Sequence, residues 1–233
     1  TCALPICGRL AIVHSDYRVL VSPQMRPDLA DAHERTWAAL SSAGTWWTGA
    51  QRHALATVAI DAMWSGDNEP RSATTDVPMV AMHAAARLGS GRPHVTRGWY
   101  ESVRDQIGAL AYVELVGIVA TAAAASSLRR TLGWTDNALP DPDDEPPTRI
   151  DPPELADANW NWVPVAAPAD KNAAVVQALT AVPATFDELW RLADAQYIPD
   201  LEMVDPKWTR GTLTRVDMEL LATRVSFSRE CHY

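Results

Sequence analysis

Apolar residues recur at intervals of three and four along most of the chain, which is the spacing of one face of an α-helix. The tract from 98 to 132 shows this spacing most clearly, at Trp99, Val103, Ile107 and Leu110. Strict alternation of apolar and polar residues, which is typical of a half-buried strand, is weak throughout. The pattern therefore predicts an all-α fold.

Capping and breaking residues set the predicted helix limits. Helices are expected over 28–43, 48–64, 78–88, 98–132 (as one helix or two), 172–181, 185–197 and from 214 onward. Three starts have the form of a capping box, in which a side-chain oxygen and a backbone N–H satisfy each other: Thr48-Gly-Ala-Gln51, Thr185-Phe-Asp-Glu188 and Thr214-Arg-Val-Asp217. Gly44 and the run 66–70 are placed to end helices.

A proline-rich segment divides the chain. Six prolines fall between Pro140 and Pro153, a density that neither a helix nor a central strand tolerates. We interpret 140–170 as a linker that Trp160, Trp162 and Val163 pin onto the core. Its acidic run 141–145 is better explained as solvated than as a cation site.

The predicted organisation has four parts. An N-terminal extension covers 1–24, a first helical repeat 25–139, the linker 140–170 and a second helical repeat 171–233.

Charge and composition exclude several classes of protein. With 20 basic and 29 acidic side chains the formal charge is −9, which argues against nucleic-acid binding and against electrostatic attachment to a membrane surface. The apolar stretch 108–125 contains Glu114 and much alanine, so it is expected to be a buried helix and not a membrane span. No signal peptide is recognisable, and three cysteines exclude a disulfide scaffold. A cytoplasmic location is expected.

Two segments resemble each other and indicate an internal duplication. Glu114 to Ser126 can be aligned with Glu219 to Cys231, since each opens with a glutamate in an apolar helix and has a small nucleophile-like side chain twelve positions later. The first segment carries serine where the second carries cysteine, so the first half is expected to be structural or to shape the substrate site.

Glu219 and Cys231 are the candidate catalytic residues. Burial among apolar neighbours would raise the pKa of Glu219 and suit it to acid–base chemistry. On a solvated face, paired with Arg215 or Arg224, it would instead be an ordinary surface glutamate without a catalytic role. Cys231 follows Arg229 and precedes His232, two basic residues that favour the thiolate, although a thiol this near the last residue could equally be inert. No metal-binding spacing is recognisable among the six histidines, and no cofactor is expected.

The spacing resembles that of the alkylhydroperoxidase D-like/carboxymuconolactone decarboxylase superfamily, in which a glutamate is followed after eleven residues by Cys-x-x-Cys and then a histidine. Glu219 and Cys231 match the first half of this motif, and the runs 43–52 and 112–120 are similar to longer members. The resemblance covers about residues 25–233. It implies a two-repeat helical bundle that forms a homo-oligomer.

The same resemblance implies a thiol- or selenol-dependent peroxidase. Its substrate would be a small hydroperoxide and its electrons would come from a thiol reductant protein. Cys231 would be the first thiol of the pair and Glu219 the carboxylate of a proton relay. Two alternatives stay open, a decarboxylase acting on a lactone and a non-catalytic helical oligomerisation module.

The second thiol of the motif would stand at position 234 and the histidine at 238, beyond Tyr233. We expect a truncated reading frame, and a selenocysteine codon at 234 read as a stop would explain it. The main nucleophile would then be at 234, and the 233-residue form would be nearly inactive. The run Thr1 to Cys7 has no start methionine and resembles a translated sequencing adapter, which leaves open whether it is biological.

Overall fold

The computed structural model describes residues 25–70, 76–91, 95–133, 138–157, 161–168 and 174–228. Within these ranges the helices are α1 (Pro27–Ala39), α2 (Gly49–Ser65), α3 (Met79–Gly89), α4 (Arg97–Ile107), α5 (Ala109–Thr131), α6 (Ala174–Gln177), α7 (Pro183–Gln196) and α8 (Arg215–Ser228). A 3-10 turn covers Asp200–Glu202, and two short antiparallel strands, β1 (Leu155–Ala156) and β2 (Val165–Ala166), pair in the linker. The all-α prediction is confirmed.

Most predicted helix limits follow from local capping. Thr48 caps α2, since its side chain accepts from the Gln51 N–H while the Gln51 side chain accepts from the Thr48 N–H. Gly66 ends α2 in the left-handed region at φ 76°, and Gly108 at φ 89° separates α4 from α5. Thr214 and Asp217 form the expected reciprocal pair at the start of α8.

The start of α7 differs from the prediction. The helix begins at Pro183, with proline in the first turn, and the Thr185 side chain does not cap it. Proline is well suited to the first helical position because its φ is already helical and the missing N–H would be unpaired there. The capping box predicted at Thr185 is therefore wrong, and Glu188 is released for a tertiary contact. The helix predicted over 172–181 is also shorter, since α6 ends at Gln177.

The core is built around α5. This helix packs against α1, α2, α3, α4 and α7, and its face towards α2 and α3 meets fully buried side chains such as Leu55 and Met82. Alanines at the contact, including Ala85 and Ala122, allow the helices to approach closely. By length and composition α5 could also cross a membrane, but 61% of its most apolar window is buried within the described structure. Burial of this kind is what the core helix of a globular protein shows.

The linker lies along the loop that joins α1 to α2. Asp143 accepts hydrogen bonds from the Ala43 N–H at 3.0 and 3.2 Å, and the Thr148 N–H donates to the Gly44 carbonyl at 2.9 Å. Val163 packs on the main core, and the Trp162 ring lies 6.3 Å from that of Tyr100. The linker is thus held to the core as expected at these two residues, while Trp160 lies outside the described part of the chain.

Helix α8 packs differently from the others. Among its residues 215–228, Met218 is the one that is buried. Five large apolar side chains of this helix are more than half exposed: Val216, Leu220, Leu221, Val225 and Phe227.

Candidate functional site

The two sequence-predicted catalytic residues differ in what the structure says of them. Glu219 lies in the second turn of α8. Cys231, together with His232, lies outside the described residues, as do Cys2 and Cys7. The candidate site is therefore described through Glu219 and the groups that hold it.

Glu219 is held by two hydrogen bonds. The Tyr197 hydroxyl donates to Glu219 Oε2 at 2.8 Å, and Arg215 Nε donates to Glu219 Oε1 at 2.7 Å. Arg215 lies one turn earlier on α8, and Tyr197 directly follows α7. The carboxylate thus joins the last two helices, with 47% of its side chain exposed to solvent.

The electrostatics of Glu219 follow from these contacts. The hydrogen bond from Tyr197, followed by the one from Arg215, lowers the pKa of Glu219, and the small degree of burial does not reverse this. Burial and the Glu219 carboxylate together raise the pKa of Tyr197. Of the two alternatives drawn from the sequence, the structure supports the solvated glutamate paired with Arg215. At neutral pH Glu219 is an ionised acceptor next to a protonated phenol.

Arginines fix this arrangement from both sides. Arg215 also donates to the backbone carbonyls of Asp205 and Met203 at 3.0 and 3.1 Å. Arg210 donates to the carbonyls of Tyr197 and Asp194 at 2.9 and 2.7 Å. Because both guanidinium groups bind backbone, the segment between α7 and α8 is tied to the end of α7, and the Tyr197–Glu219 pair is held in register.

The separation between Glu219 and Cys231 constrains the proposed relay. Twelve residues of continuous helix rise about 18 Å, so a direct contact requires the helix to end between the two residues. The structure describes α8 as far as Ser228, and Cys231 lies beyond the described residues.

A second cluster of charged residues is buried at the centre of the fold. Arg52 on α2 donates from Nη1 to Glu114 Oε1 on α5 and from Nη2 to Glu188 Oε2 on α7, both at 2.9 Å. The Trp46 N–H donates to the other Glu114 oxygen at 2.7 Å. The Arg52 and Glu114 side chains are 2% and 0% exposed, while that of Glu188 is 26% exposed. Three helices are thus joined at one guanidinium group.

The charges in this cluster do not cancel, since one guanidinium faces two carboxyl groups. Burial raises the pKa of Glu114, with Arg52 and the Trp46 amide acting in the opposite direction. Burial alone would lower the pKa of Arg52, but Glu188 and Glu114 more than offset it and leave that pKa raised. Arg52 therefore stays charged, and any proton taken up by the cluster goes to a carboxyl group.

No signal in the sequence would pair these residues. Arg52 and Glu114 both lie in runs that carry the family resemblance, and Glu114 is aligned with Glu219 in the proposed repeat. Their environments are opposite, because Glu114 is fully buried and Glu219 is half exposed. At the end of the first aligned segment, Ser126 accepts a hydrogen bond from Trp64 Nε1 at 2.9 Å, which is a structural role.

Metal binding finds no support in the described ranges, where no group of three or more His, Cys, Asp or Glu side chains could hold an ion.

Comparison with known family models, curated proteins and solved structures finds no match for this chain.

Proposed function

We propose that this chain is the helical body of a thiol- or selenol-dependent peroxidase that reduces small hydroperoxides, of the two-repeat alkylhydroperoxidase D-like type. The observation that carries the proposal is the Tyr197–Glu219–Arg215 network on α8. On this proposal the ionised, partly exposed Glu219 carboxylate is the group from which a proton relay to Cys231 starts. On this proposal the protein is cytoplasmic, where thiol reductants are abundant.

The reaction needs two nucleophilic groups and an external reductant. On this proposal the second thiolate or selenolate of the motif attacks the outer oxygen of ROOH, so that an S–O or Se–O bond forms, the O–O bond breaks and RO⁻ leaves as ROH after taking a proton. The Cys231 thiolate then attacks the oxidised sulfur or selenium, so that the S–O or Se–O bond breaks, hydroxide leaves as water after taking a proton, and a bridge forms between the two groups. A thiol reductant protein supplies two electrons and two protons to restore both groups.

Glu219 and Tyr197 would act on the protons of this cycle. A carboxylate that is already ionised can accept the proton of an attacking thiol, and the phenol hydrogen-bonded to it can pass a proton onward. Because the pKa of Glu219 is lowered, its role is to orient and relay protons and not to store one at neutral pH. Arg215 keeps the carboxylate charged and pointed at Tyr197.

The test uses the protein as its whole gene encodes it (the extended protein), with tert-butyl hydroperoxide as substrate and dithiothreitol as reductant. We expect peroxide-dependent thiol consumption that is abolished in Cys231→Ser and reduced at least about tenfold in Glu219→Gln. Cys7→Ser and Glu145→Gln are matched controls for the two side-chain types and should leave the rate unchanged. Turnover that survives Cys231→Ser, or equal rates for Glu219→Gln and Glu145→Gln, would contradict the assignment.

The exposed apolar surface of α8 favours a second candidate function, a helical module that oligomerises without catalysis. Val216, Leu220 and Phe227 follow one stripe of the helix, and Leu221 and Val225 follow another, all more than half exposed. A helix that is apolar on several sides is normally covered. The covering partner proposed is α8 of a second copy, since the same surface is then buried twice.

Light scattering during size-exclusion chromatography tests this surface. Leu220→Glu with Phe227→Glu should convert an oligomer into a monomer, and Val204→Glu, at an 88% exposed position outside α8, should not. An oligomer that forms without any peroxidase activity in the extended protein would favour the module. A wild-type chain that is monomeric at high concentration would exclude it.

A further inference from the structure

A cavity of about 270 Å³ lies between α4, α5 and the linker residues 161–163. Aromatic rings from Tyr100, Tyr112 and Trp162 and apolar side chains such as Val116 and Leu179 line it. Tyr112 and Val116 are one turn apart on α5, so they present to the same side of that helix. The Trp162 side chain is 44% exposed, which leaves the cavity accessible from solvent at this ring.

The walls of the cavity suit a flat ring. The Tyr100 and Tyr112 rings meet edge to face with centroids 5.0 Å apart, and the Tyr100 and Trp162 rings are tilted by 31° at 6.3 Å. Aromatic side chains arranged in this way favour a further aromatic ring through stacked and edge contacts. A cavity of 150 Å³ holds benzene, so about 270 Å³ has room for one ring and a short substituent.

Tyr112 supplies a hydrogen-bond donor. The residue is 5% exposed, and its hydroxyl is not one of the fully buried atoms that lack a partner in the described part of the chain, so it is reachable from the cavity. Burial raises the pKa of Tyr112 to about 12, so the phenol keeps its proton at any physiological pH. A ligand that accepts a hydrogen bond from this hydroxyl would replace water there, at a modest net gain in binding.

The charge of the ligand follows from the lining. The described residues around the cavity include no Asp, Glu, Lys or Arg, and Asn161 is the one side-chain amide. A charged ligand would lose its hydration without gaining a counter-ion, which is strongly unfavourable. An uncharged ligand meets walls that are mostly apolar and aromatic, with neutral polar groups on Tyr100, Tyr112, Trp162 and Asn161.

We propose that this cavity is a binding site for a small, uncharged aromatic molecule carrying a carbonyl oxygen that accepts a hydrogen bond from Tyr112. An aryl ketone or aryl ester has this chemistry. None of the lining residues belongs to α8, so the proposal stands independently of the peroxidase proposal.

Three probes of equal shape test the ligand class by fluorine NMR of the ligand. 4-Fluoroacetophenone carries the acceptor, 1-ethyl-4-fluorobenzene lacks it and 4-fluorobenzoate adds a charge. We expect saturable line broadening for the ketone, binding about five- to tenfold weaker for the ethyl compound and none for the carboxylate. Equal binding of all three, or absence of ketone binding, would overturn the proposal.

Variants locate the binding. Val116→Trp fills the cavity and should abolish ketone binding, whereas Val204→Trp places the same side chain on the surface and should not. If circular dichroism shows that Val116→Trp does not fold, Ala178→Leu narrows the same cavity with a smaller change and should weaken the ketone. If a folded cavity variant keeps the wild-type affinity for the ketone, the ligand does not bind in this cavity and the proposal is wrong.

The hydroxyl has its own control. Tyr112→Phe should weaken binding of the ketone about five- to tenfold and leave binding of the ethyl compound unchanged. Tyr197→Phe, which removes a phenol hydroxyl elsewhere, should change the binding of neither probe. Equal ketone affinity in Tyr112→Phe and the wild type would overturn the assigned hydrogen bond.

Discussion

Arg52 Nη1 lies 2.9 Å from Glu114 Oε1, and the two side chains are 2% and 0% exposed. The pair joins α2 to α5, the two helices on which most of the core is built. Because water cannot solvate either group, Glu114 depends on Arg52 for its charge compensation, and Arg52 depends on Glu114 together with Glu188.

Removing Arg52 should therefore be severely destabilising. Arg52→Met leaves Glu114 buried without its cation, and we expect the free energy of unfolding to fall by about 3–5 kcal/mol. The double variant Arg52→Met with Glu114→Gln should recover part of that loss, because the fully buried Glu114 position then carries no charge, while Glu188 is partly exposed to solvent. Urea unfolding of the single and the double variant measures the two free energies of unfolding.

Arg35→Met is the matched control for the loss of an arginine. Its partner Asp31 is 3.9 Å away, and both side chains are at least 66% exposed, so the change should stay within about 0.5 kcal/mol. Equal losses for Arg52→Met and Arg35→Met would show that the buried cluster does not stabilise the fold.

Gly44 should not tolerate a methyl group. A Cβ atom there would overlap the Glu114 carboxylate and the Arg52 guanidinium, so Gly44→Ala should destabilise the protein by about 1–3 kcal/mol. Gly98→Ala is the control, since a Cβ atom at that helical position meets nothing within 4 Å. It should be neutral or stabilising by up to about 1 kcal/mol. Thermal unfolding measures the stability of both variants. If both substitutions destabilise the protein, or both stabilise it, this explanation is contradicted.

His33 should make the stability depend on pH. Burial, with a contribution from Arg129, lowers the pKa of His33 below its usual value of 6.5. The unfolded chain then binds a proton at a pH where the folded chain does not. The free energy of unfolding contributed by this residue is complete above about pH 6.5 and falls as the pH drops towards the folded-state pKa.

Urea titrations at pH 8 and pH 5.5 measure this loss. His33→Gln should reduce the difference between the two values, whereas His83→Gln, at a side chain 47% exposed, should retain it. An unchanged difference in His33→Gln would exclude His33 as the cause.

Tyr197 should control the titration of Glu219. The hydrogen bond from Tyr197 is the largest contribution that lowers the pKa of Glu219, so Tyr197→Phe should move that pKa up towards 4.5. Carbon-detected NMR titration of the Glu219 carboxyl carbon checks this directly. In the extended protein the acidic limb of the peroxidase rate should move to higher pH by the same amount. A pKa that does not move would remove Tyr197 from the relay.

Local signals predicted the helices because they act within a few residues. The Thr48–Gln51 capping box and the left-handed glycines at 66 and 108 set helix limits without help from distant parts of the chain. The same reasoning placed a capping box at Thr185, and there it failed. Pro183 starts α7 earlier, and Glu188 gains a buried partner 136 positions away.

For the candidate site, the sequence identified Glu219 and its neighbour Arg215, because partners one helical turn apart can be inferred from spacing. Tyr197 could not be inferred, since it reaches Glu219 only through the turn between α7 and α8. The peroxidase assignment and the roles of Glu219 and Cys231 remain predictions.

By itself, then, the sequence determined that this protein is helical, where most helices begin and end, and that a proline-rich linker separates two helical parts. Those features depend on backbone conformations and capping bonds within one or two turns. Tertiary structure alone decided that Glu114 is buried against Arg52 while the aligned Glu219 is half exposed. The physical reason is that burial depends on which helices meet, and two glutamates in similar apolar runs acquire opposite environments from the partners packed against them.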